Sequence, residues 1–465
     1  MNTDFSPILK KQRELFNTNE TKDIEFRINS LKKLKQVINK KQAEITKTCM
    51  NVLERPEFEV YFSEIIQPID EINHAIKKLK SWSRPKRAKT PLIHFKSNSK
   101  IYSEPYGIAL IISTWNFPFN LTIIPVISAI AAGNCCIIKT SELAPNVAKL
   151  IDEIIKESFD EKHCTVIQGG IEESTSLLKE KFDIIFFTGS SNIGKIIAQA
   201  AAINLTPTIL ELGGKNPCII DKLDEDNLKT AVRRIAWGKF MNAGQVCIAP
   251  DHIFVQKDIK DDFIKLMRKQ IEEFYGTAPL ESKDLCKVIN KNHFDRLVSY
   301  LQKEQICIGG NYNSTTLKIE PTILTNVSID SPVMKSEIFG PILPIFEFES
   351  IDEAINTIKK FEKPLALYFY SKNKDKVKKI INEIPSGDAC INATILHCFS
   401  YYLPFGGVGN SGMGSYHGKW GFDAFSHRKS VLNKSLAVDF KLAYPPYKDK
   451  VKLFKKLYGY NKRTP

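Results

Sequence analysis

The stretch Asp183-Ile184-Ile185-Phe186-Phe187-Thr188-Gly189-Ser190-Ser191-Asn192-Ile193-Gly194 holds a strand, a turn and the start of a helix in one short segment. The apolar run over 183–188 ends on a Gly-Ser turn and reads as a strand buried on both faces, because a half-solvated strand would alternate apolar and polar residues. Residues 191–204 then have the length and composition of a helix. A strand that feeds a helix through a tight turn is the repeating unit of a parallel sheet, so this segment decides the fold class.

The same unit recurs on both sides. Strands are predicted over 109–113, 135–139, 164–168 and 208–212, with helices over 120–132, 145–159 and 171–181 between them. Strands alternating with helices imply a doubly wound α/β sheet covered on both faces. A second alternating series over 231–392, with strands near Ile253, Ile342, Leu367 and Ala389, predicts a second α/β domain. Residues 4–82 are helical, with Ile24, Ile28, Leu31, Leu34 and Ile38 at three- and four-residue spacing and lysines largely opposite. At 465 residues the chain exceeds the roughly 250–300 at which one core stops growing, so more than one domain is expected.

Composition excludes several classes. Hydrophobic residues at 43% and charged residues at 25% are ordinary for a globular protein, so disorder is not favoured. The apolar runs fall far short of a spanning helix and the first ten residues lack a signal-peptide core, which places the chain in the cytoplasm. Ten cysteines are scattered with no CxxC and no Cys/His cluster at zinc spacing, so reduced thiols and no metal are expected. The net charge of +14 raises the question of nucleic acid, but the lysines sit on helical stretches without interleaved stacking aromatics. Solvated helix faces explain them, and no nucleic-acid partner is expected.

Four segments carry chemistry. In Asn242-Ala243-Gly244-Gln245-Val246-Cys247-Ile248-Ala249-Pro250, Cys247 follows a Gly-Gln turn and precedes a proline. A lone cysteine is most often a core hydrophobe, but a loop thiol with free backbone N–H groups in a polar, accessible site is a candidate nucleophile. In Leu210-Glu211-Leu212-Gly213-Gly214-Lys215 the acid lies at the carboxyl end of a strand, where ligands of open α/β sheets bind. An ion pair of Glu211 with Lys215 is the competing reading. In Ser113-Thr114-Trp115-Asn116-Phe117-Pro118-Phe119-Asn120 the amide of Asn116 offers uncharged N–H donors of the kind an oxyanion needs, or else a helix cap. In the opening stretch, the turn at Gly189 and Ser190 ahead of Gly194 presents a helix N-terminus to a pyrophosphate, without a full GxGxxG fingerprint.

Together these segments resemble the aldehyde dehydrogenase superfamily. The glutamate motif LELGGK and the cysteine motif GQVC carry the resemblance, supported by Lys139-Thr140-Ser141-Glu142, Ser336-Glu337-Ile338-Phe339-Gly340-Pro341 and Pro404-Phe405-Gly406-Gly407. The segments from Thr114 to Ile123, Arg234 to Asn242 and Gly409 to Lys419 resemble the class 3, fatty aldehyde branch. Thr140 and Ala243 depart from the pattern, where proline and serine are usual.

The resemblance implies a Rossmann-like cofactor domain (1–84 and 104–211, with 408–428 returning to it) and a catalytic domain (212–407). It also implies a small oligomerisation arm (85–103 and 429–447), followed by a basic tail (448–465). It implies Cys247 as nucleophile, Glu211 as general base, and Asn116 with the Cys247 N–H as oxyanion hole. Cofactor contacts are implied for Thr114, Trp115, Lys139, Glu142, Gly189, Ser190, Gly194, Leu212, Gly213, Glu337 and Phe339.

The expected activity is oxidation of medium- or long-chain aliphatic or aromatic aldehydes to acids through a Cys247 thioester. NAD is the expected cofactor with NADP tolerated, and a homodimer is implied. Phe399, Tyr401 and Tyr402 are candidate tunnel residues. In the tail, Val451, Phe454 and Tyr458 share a helical face among lysines, which suggests docking on the body, a cap over the aldehyde entrance, or weak peripheral contact with an anionic membrane. Two alternatives stay open: an acylating relative that passes the thioester to coenzyme A, and a catalytically silent structural or binding protein on the same fold.

Overall fold

A computed structural model describes residues 4–457. The chain divides into two compact units, Met1–Ser83 with Glu104–His427, and Arg84–Ser103 with Arg428–Pro465. The larger unit contains both expected sheets.

The first sheet aligns Thr208–Glu211, Ile184–Thr188, Ile108–Ile112, Cys135–Lys139 and Cys164–Ile167 in that order, all parallel, and Gly412–Met413 adds an antiparallel edge. Ile108–Ile112, Cys135–Lys139 and Ile184–Thr188 are buried at every position, as their unbroken apolar runs required. The helix Asn120–Ala132 is apolar all round, and every residue but Leu121 is buried, so it packs as a core element. Ile24–Lys40 is amphipathic instead and buries Ile28, Leu31, Leu34 and Ile38.

The second sheet has seven strands, in the order Gln305–Ile308, Thr322–Thr325, Ile342–Phe348, His252–Gln256, Pro217–Ile220, Ala366–Tyr370 and Asp388–Ile391. Only its Gln305–Ile308 edge is antiparallel. Pro217–Ile220, a central strand, is not predicted from sequence, because four apolar residues behind a Gly-Gly-Lys turn are too few to show a period. The helix predicted over 171–181 is shorter, Ile171–Leu177.

The smaller unit contributes Lys86–Ala88 and most of Ser97–Pro105 and Ser426–Lys434 to a three-stranded sheet. Its helix Lys450–Leu457 confirms the helical reading of the tail, while Tyr458 lies outside the described residues. No helix among the described residues is long and apolar enough to cross a membrane.

Candidate active site

The register of the first sheet explains why distant segments converge. Ile112 lies opposite Lys139 and Phe187, and Thr188 lies opposite Glu211, so four parallel strands end on one edge. Thr114, Lys139, Gly189 and Glu211 leave those strand ends together, at the edge where open α/β sheets take their ligands.

Cys247 sits on the loop after a strained turn. Asn242, Ala243 and Gly244 are consecutive left-handed residues, with φ of 52°, 50° and 72°. The loop is tied down by Asn216, whose Nδ2 donates to the carbonyls of Cys247 (2.7 Å) and Ala249 (3.0 Å) and whose Oδ1 accepts from Ala366 N (2.9 Å). Cys247 is half-buried and lines a cavity whose walls are mostly apolar: Phe117, Leu121, Met241, Ile248, Phe399 and Phe405 among them. Burial, then the carboxylates of Glu337 and Glu211, push its thiol far above the ordinary range, while the backbone N–H groups of Cys247 and Ile248 act the other way. The surround differs from the polar one expected from sequence: the cavity walls are mostly apolar and burial disfavours the thiolate, so a nearby base would assist reaction.

Glu211 is that kind of group. It is 3% exposed, neither carboxylate oxygen has a hydrogen-bond partner among the described residues, and burial, then Asp388, push its pKa well above the carboxylate range. The ion pair with Lys215 does not form, since Lys215 instead pairs with Asp251 and donates to the carbonyl of Ser336 (3.0 Å). Glu337, half-buried beside Gly213 and Gly214, is raised to about 8 by burial and by Asp251. Asn116 is buried, and one N–H of its amide donates to the carbonyl of Gln245 (3.1 Å). An amide has two such donors, so a second remains for a ligand. It is not a helix cap, because the helix begins at Asn120.

Along the strand edge, the helix Ser191–Ile203 opens at Ser190 with no acid in its first turn. Its leading N–H groups have no partners within the helix. A Cβ at Gly189 would strike the Phe187 ring and one at Gly194 would strike the Leu212 side chain, so glycine is needed at both positions for the turn to pack against its own strand ends. Lys139 is buried, donates to the carbonyls of Thr140 (2.7 Å) and Gly169 (2.6 Å), and lies 4.0 Å from Glu142. Phe339, at φ 50°, meets Trp115 edge to face at 5.6 Å. A Cβ on Gly213 would overlap the Glu337 carboxylate, which brings Leu212, Gly213 and Glu337 into one corner. Ser190 Oγ caps the N–H of Ile193 (3.5 Å), and the helix N-terminus, the glycines and a lysine beside a carboxylate fit a dinucleotide.

Sequence reasoning missed the residues that hold these groups. Gln245, read only as half of a turn, is fully buried. It donates to the carbonyls of Asn242 (3.0 Å) and Lys287 (3.0 Å) and accepts from Ile289 N (3.0 Å). His417 lines the cavity and shares a 2.6 Å hydrogen bond with Glu71. Of the proposed tunnel residues only Phe399 lines the cavity, whereas Tyr401 meets His74 at a tilt and Tyr402 meets it edge to face.

Comparison with known proteins agrees with this geometry. The pattern of the Aldehyde dehydrogenase family matches residues 2–431. The chain is 46% identical to 4,4'-diaponeurosporen-aldehyde dehydrogenase of Staphylococcus aureus over 95% of its own length and 96% of that protein. It is 43% identical to the mouse (Mus musculus) aldehyde dehydrogenase, dimeric NADP-preferring, over 96% and 98%. A solved structure of Staphylococcus aureus AldH in a substrate-bound state superposes with a TM-score of 0.94 at 44% identity, covering 98% of this chain and 100% of that one. These matches do not favour an acylating or a silent protein. The chain belongs to the aldehyde dehydrogenase family, oxidoreductases that oxidise aldehydes with NAD(P).

Proposed function

We propose that aldehydes are oxidised to free acids at Cys247, with Glu211 as base and Asn116 as oxyanion donor. The observation that carries this reading is a buried carboxylate, Glu211, unpaired at both oxygens and acting on a thiol that lines an apolar cavity. As the sulfur adds to the carbonyl carbon, its proton passes to one of the two carboxylates acting on it, Glu337 or Glu211. The oxyanion is taken by the free N–H of Asn116 and the backbone N–H of Cys247. The nicotinamide, when bound, supplies the hydride acceptor that leaves an acyl thioester on Cys247. Glu211 then takes a proton from the water that cleaves the thioester, a task suited to a carboxyl whose pKa burial has raised.

The cofactor is assigned to Thr114, Trp115, Lys139, Glu142, Gly189, Ser190, Gly194, Leu212, Gly213, Glu337 and Phe339. Glu142 favours NAD by repelling a 2′-phosphate, and Lys139 beside it makes NADP tolerable. The cofactor domain comprises 1–84 and 104–211, the catalytic domain 212–407, the oligomerisation arm 85–103 and 429–447, and the basic tail 448–465. Pairing of Gly412–Met413 with Leu210 and Glu211 supports the return of 408–428 to the cofactor domain. A homodimer is supported by the name of the mouse relative and by exposed Leu92, Phe95 and Leu436 in the smaller unit. Lys450, Lys452, Lys455 and Lys456 with exposed Val451 and Leu453 support weak contact of the tail with anionic membrane, for a protein working in the cytoplasm.

The apolar walls suit medium- or long-chain aliphatic or aromatic aldehydes. Assays over aldehydes of graded chain length, with NAD and with NADP, test substrate and cofactor together. Cys247→Ala should abolish NADH formation with all of them; substantial turnover in that variant would refute the scheme.

A further inference from the structure

Upstream of the site, the helical run over 57–82 contains a π-helical stretch, Tyr61–Ile66, in place of regular α-helix. Such widened turns are rare and concentrate at functional sites. Of two carboxylates here, Glu59 precedes this stretch and Glu64 lies within it. In a regular α-helix residues five apart point about 140° away from each other, whereas a turn closed by i→i+5 hydrogen bonds brings them toward one face.

Both carboxylates reach the segments that carry the reacting groups. Glu64 is fully buried. It accepts from Phe119 N (3.1 Å) and Asn120 N (2.8 Å), holds Arg55 in an ion pair, and so grips the turn that begins at Asn116. Arg55 closes the grip from the other side, with its guanidinium 5.2 Å from the centre of the Phe117 ring. Glu59 Oε2 accepts from Asn242 N at 3.1 Å. Asn242 in turn donates through Nδ2 to the carbonyls of Asn116 (3.2 Å) and Gln245 (3.2 Å), joining the Asn116 turn to the Cys247 loop. Asn242 and Ala243 are left-handed without being glycine, a conformation that persists only where neighbours over-determine it.

We propose that Glu59 and Glu64 are positioning residues for the oxyanion pocket, one widened turn setting the Asn116 turn and the Cys247 loop at a fixed separation. This rests on the assignment of Cys247 and Asn116 above. Neither carboxylate touches substrate; each acts through the backbone it holds. Burial raises Glu59 to about 7, with the Asn242 N–H, Arg55 and Cys286 favouring its charge and Asp284 opposing it; Tyr275 also faces it. Below that pH the carboxyl loses charge and its hold on Asn242 weakens.

The test uses the full chain with saturating NAD and one aldehyde, reading the pre-steady-state NADH burst, KM and thermal melting. Glu59→Ala should slow the burst by about 10- to 100-fold, the scale of a misplaced reacting group, with KM within about twofold. Glu59→Gln keeps an acceptor for Asn242 and should recover most of the rate, while the component of the burst's pH profile near pH 7 is lost and the rise set by Glu337 and Glu211 remains. A wild-type burst in Glu59→Ala, or a pH profile unchanged in Glu59→Gln, overturns the role of Glu59. Should Glu59→Ala not fold, the Glu59→Gln profile decides alone. For Glu64, the paired change Arg55→Met with Glu64→Gln strands no charge and should slow the burst to a similar degree; an unchanged burst removes Glu64 from the proposal. Turnover in Cys247→Ala would instead defeat the catalytic reading, whereas a dead Cys247→Ala beside a wild-type Glu59→Ala defeats positioning alone.

Discussion

Glu211 and Glu64 are both buried carboxylates, and their surroundings are opposite. Glu64 is met by two backbone N–H groups and a guanidinium, whereas neither oxygen of Glu211 meets a hydrogen-bond partner among the described residues. A buried charge is tolerated when paired and hydrogen-bonded, and costs several kcal/mol when it is not. The Asn116 to Asn120 turn therefore uses its carboxylate to hold backbone, while the Cys247 neighbourhood keeps one unpaired at the expense of stability. What the contrast teaches is where to look for chemistry: at the group the fold leaves unsatisfied.

The sharpest way to break that comparison is Glu211→Gln. Turnover should fall by about 10²- to 10⁴-fold, the usual worth of a general base, with the first NADH burst retained and melting unchanged or raised. A burst lost with turnover would move Glu211 to the acylation step. In the wild type, the release step should quicken with rising pH, because the raised carboxyl becomes a base only as it ionises.

Glu64→Gln tests the other side. Leaving Arg55 charged and unpaired in the interior should cost about 3–5 kcal/mol, read as a lowered melting temperature or denaturant midpoint. Equal stability would mean that the paired region is no more structural than the unpaired one.

The smallest effect is a slope. Glu337 is raised to about 8 from an ordinary value of 4.5, so between those limits the folded chain retains a proton that the unfolded chain releases. Its contribution is fully present below about pH 4.5 and is lost as pH rises through about 8. Glu337→Gln should flatten that part of the stability profile measured by denaturant titration, and a slope identical to wild type would remove Glu337 as its source.

Much of this was legible in the chain itself. Unbroken apolar runs such as Cys135 to Lys139 announced buried parallel strands, and Glu211 at a strand end and Gly189 at a turn announced a ligand edge, because period and position are local properties. Pro217–Ile220 was too short to show a period, and the helix 171–181 lost its last turn. Gln245 looked like turn filler until its partners at Asn242, Lys287 and Ile289 were seen.

By itself, then, the sequence determined the α/β class, the family and which four segments carry chemistry, since residue type and short-range spacing suffice for those. Only the tertiary structure decided that Cys247 lines an apolar cavity where burial disfavours the thiolate, that Lys215 turns to Asp251 rather than Glu211, and that Glu59 and Glu64 grip the loops of the site. The physical reason is separation along the chain. Asn242 lies 183 residues from Glu59 and Asn120 lies 56 from Glu64, and burial and pairing across such distances exist only once the chain has folded.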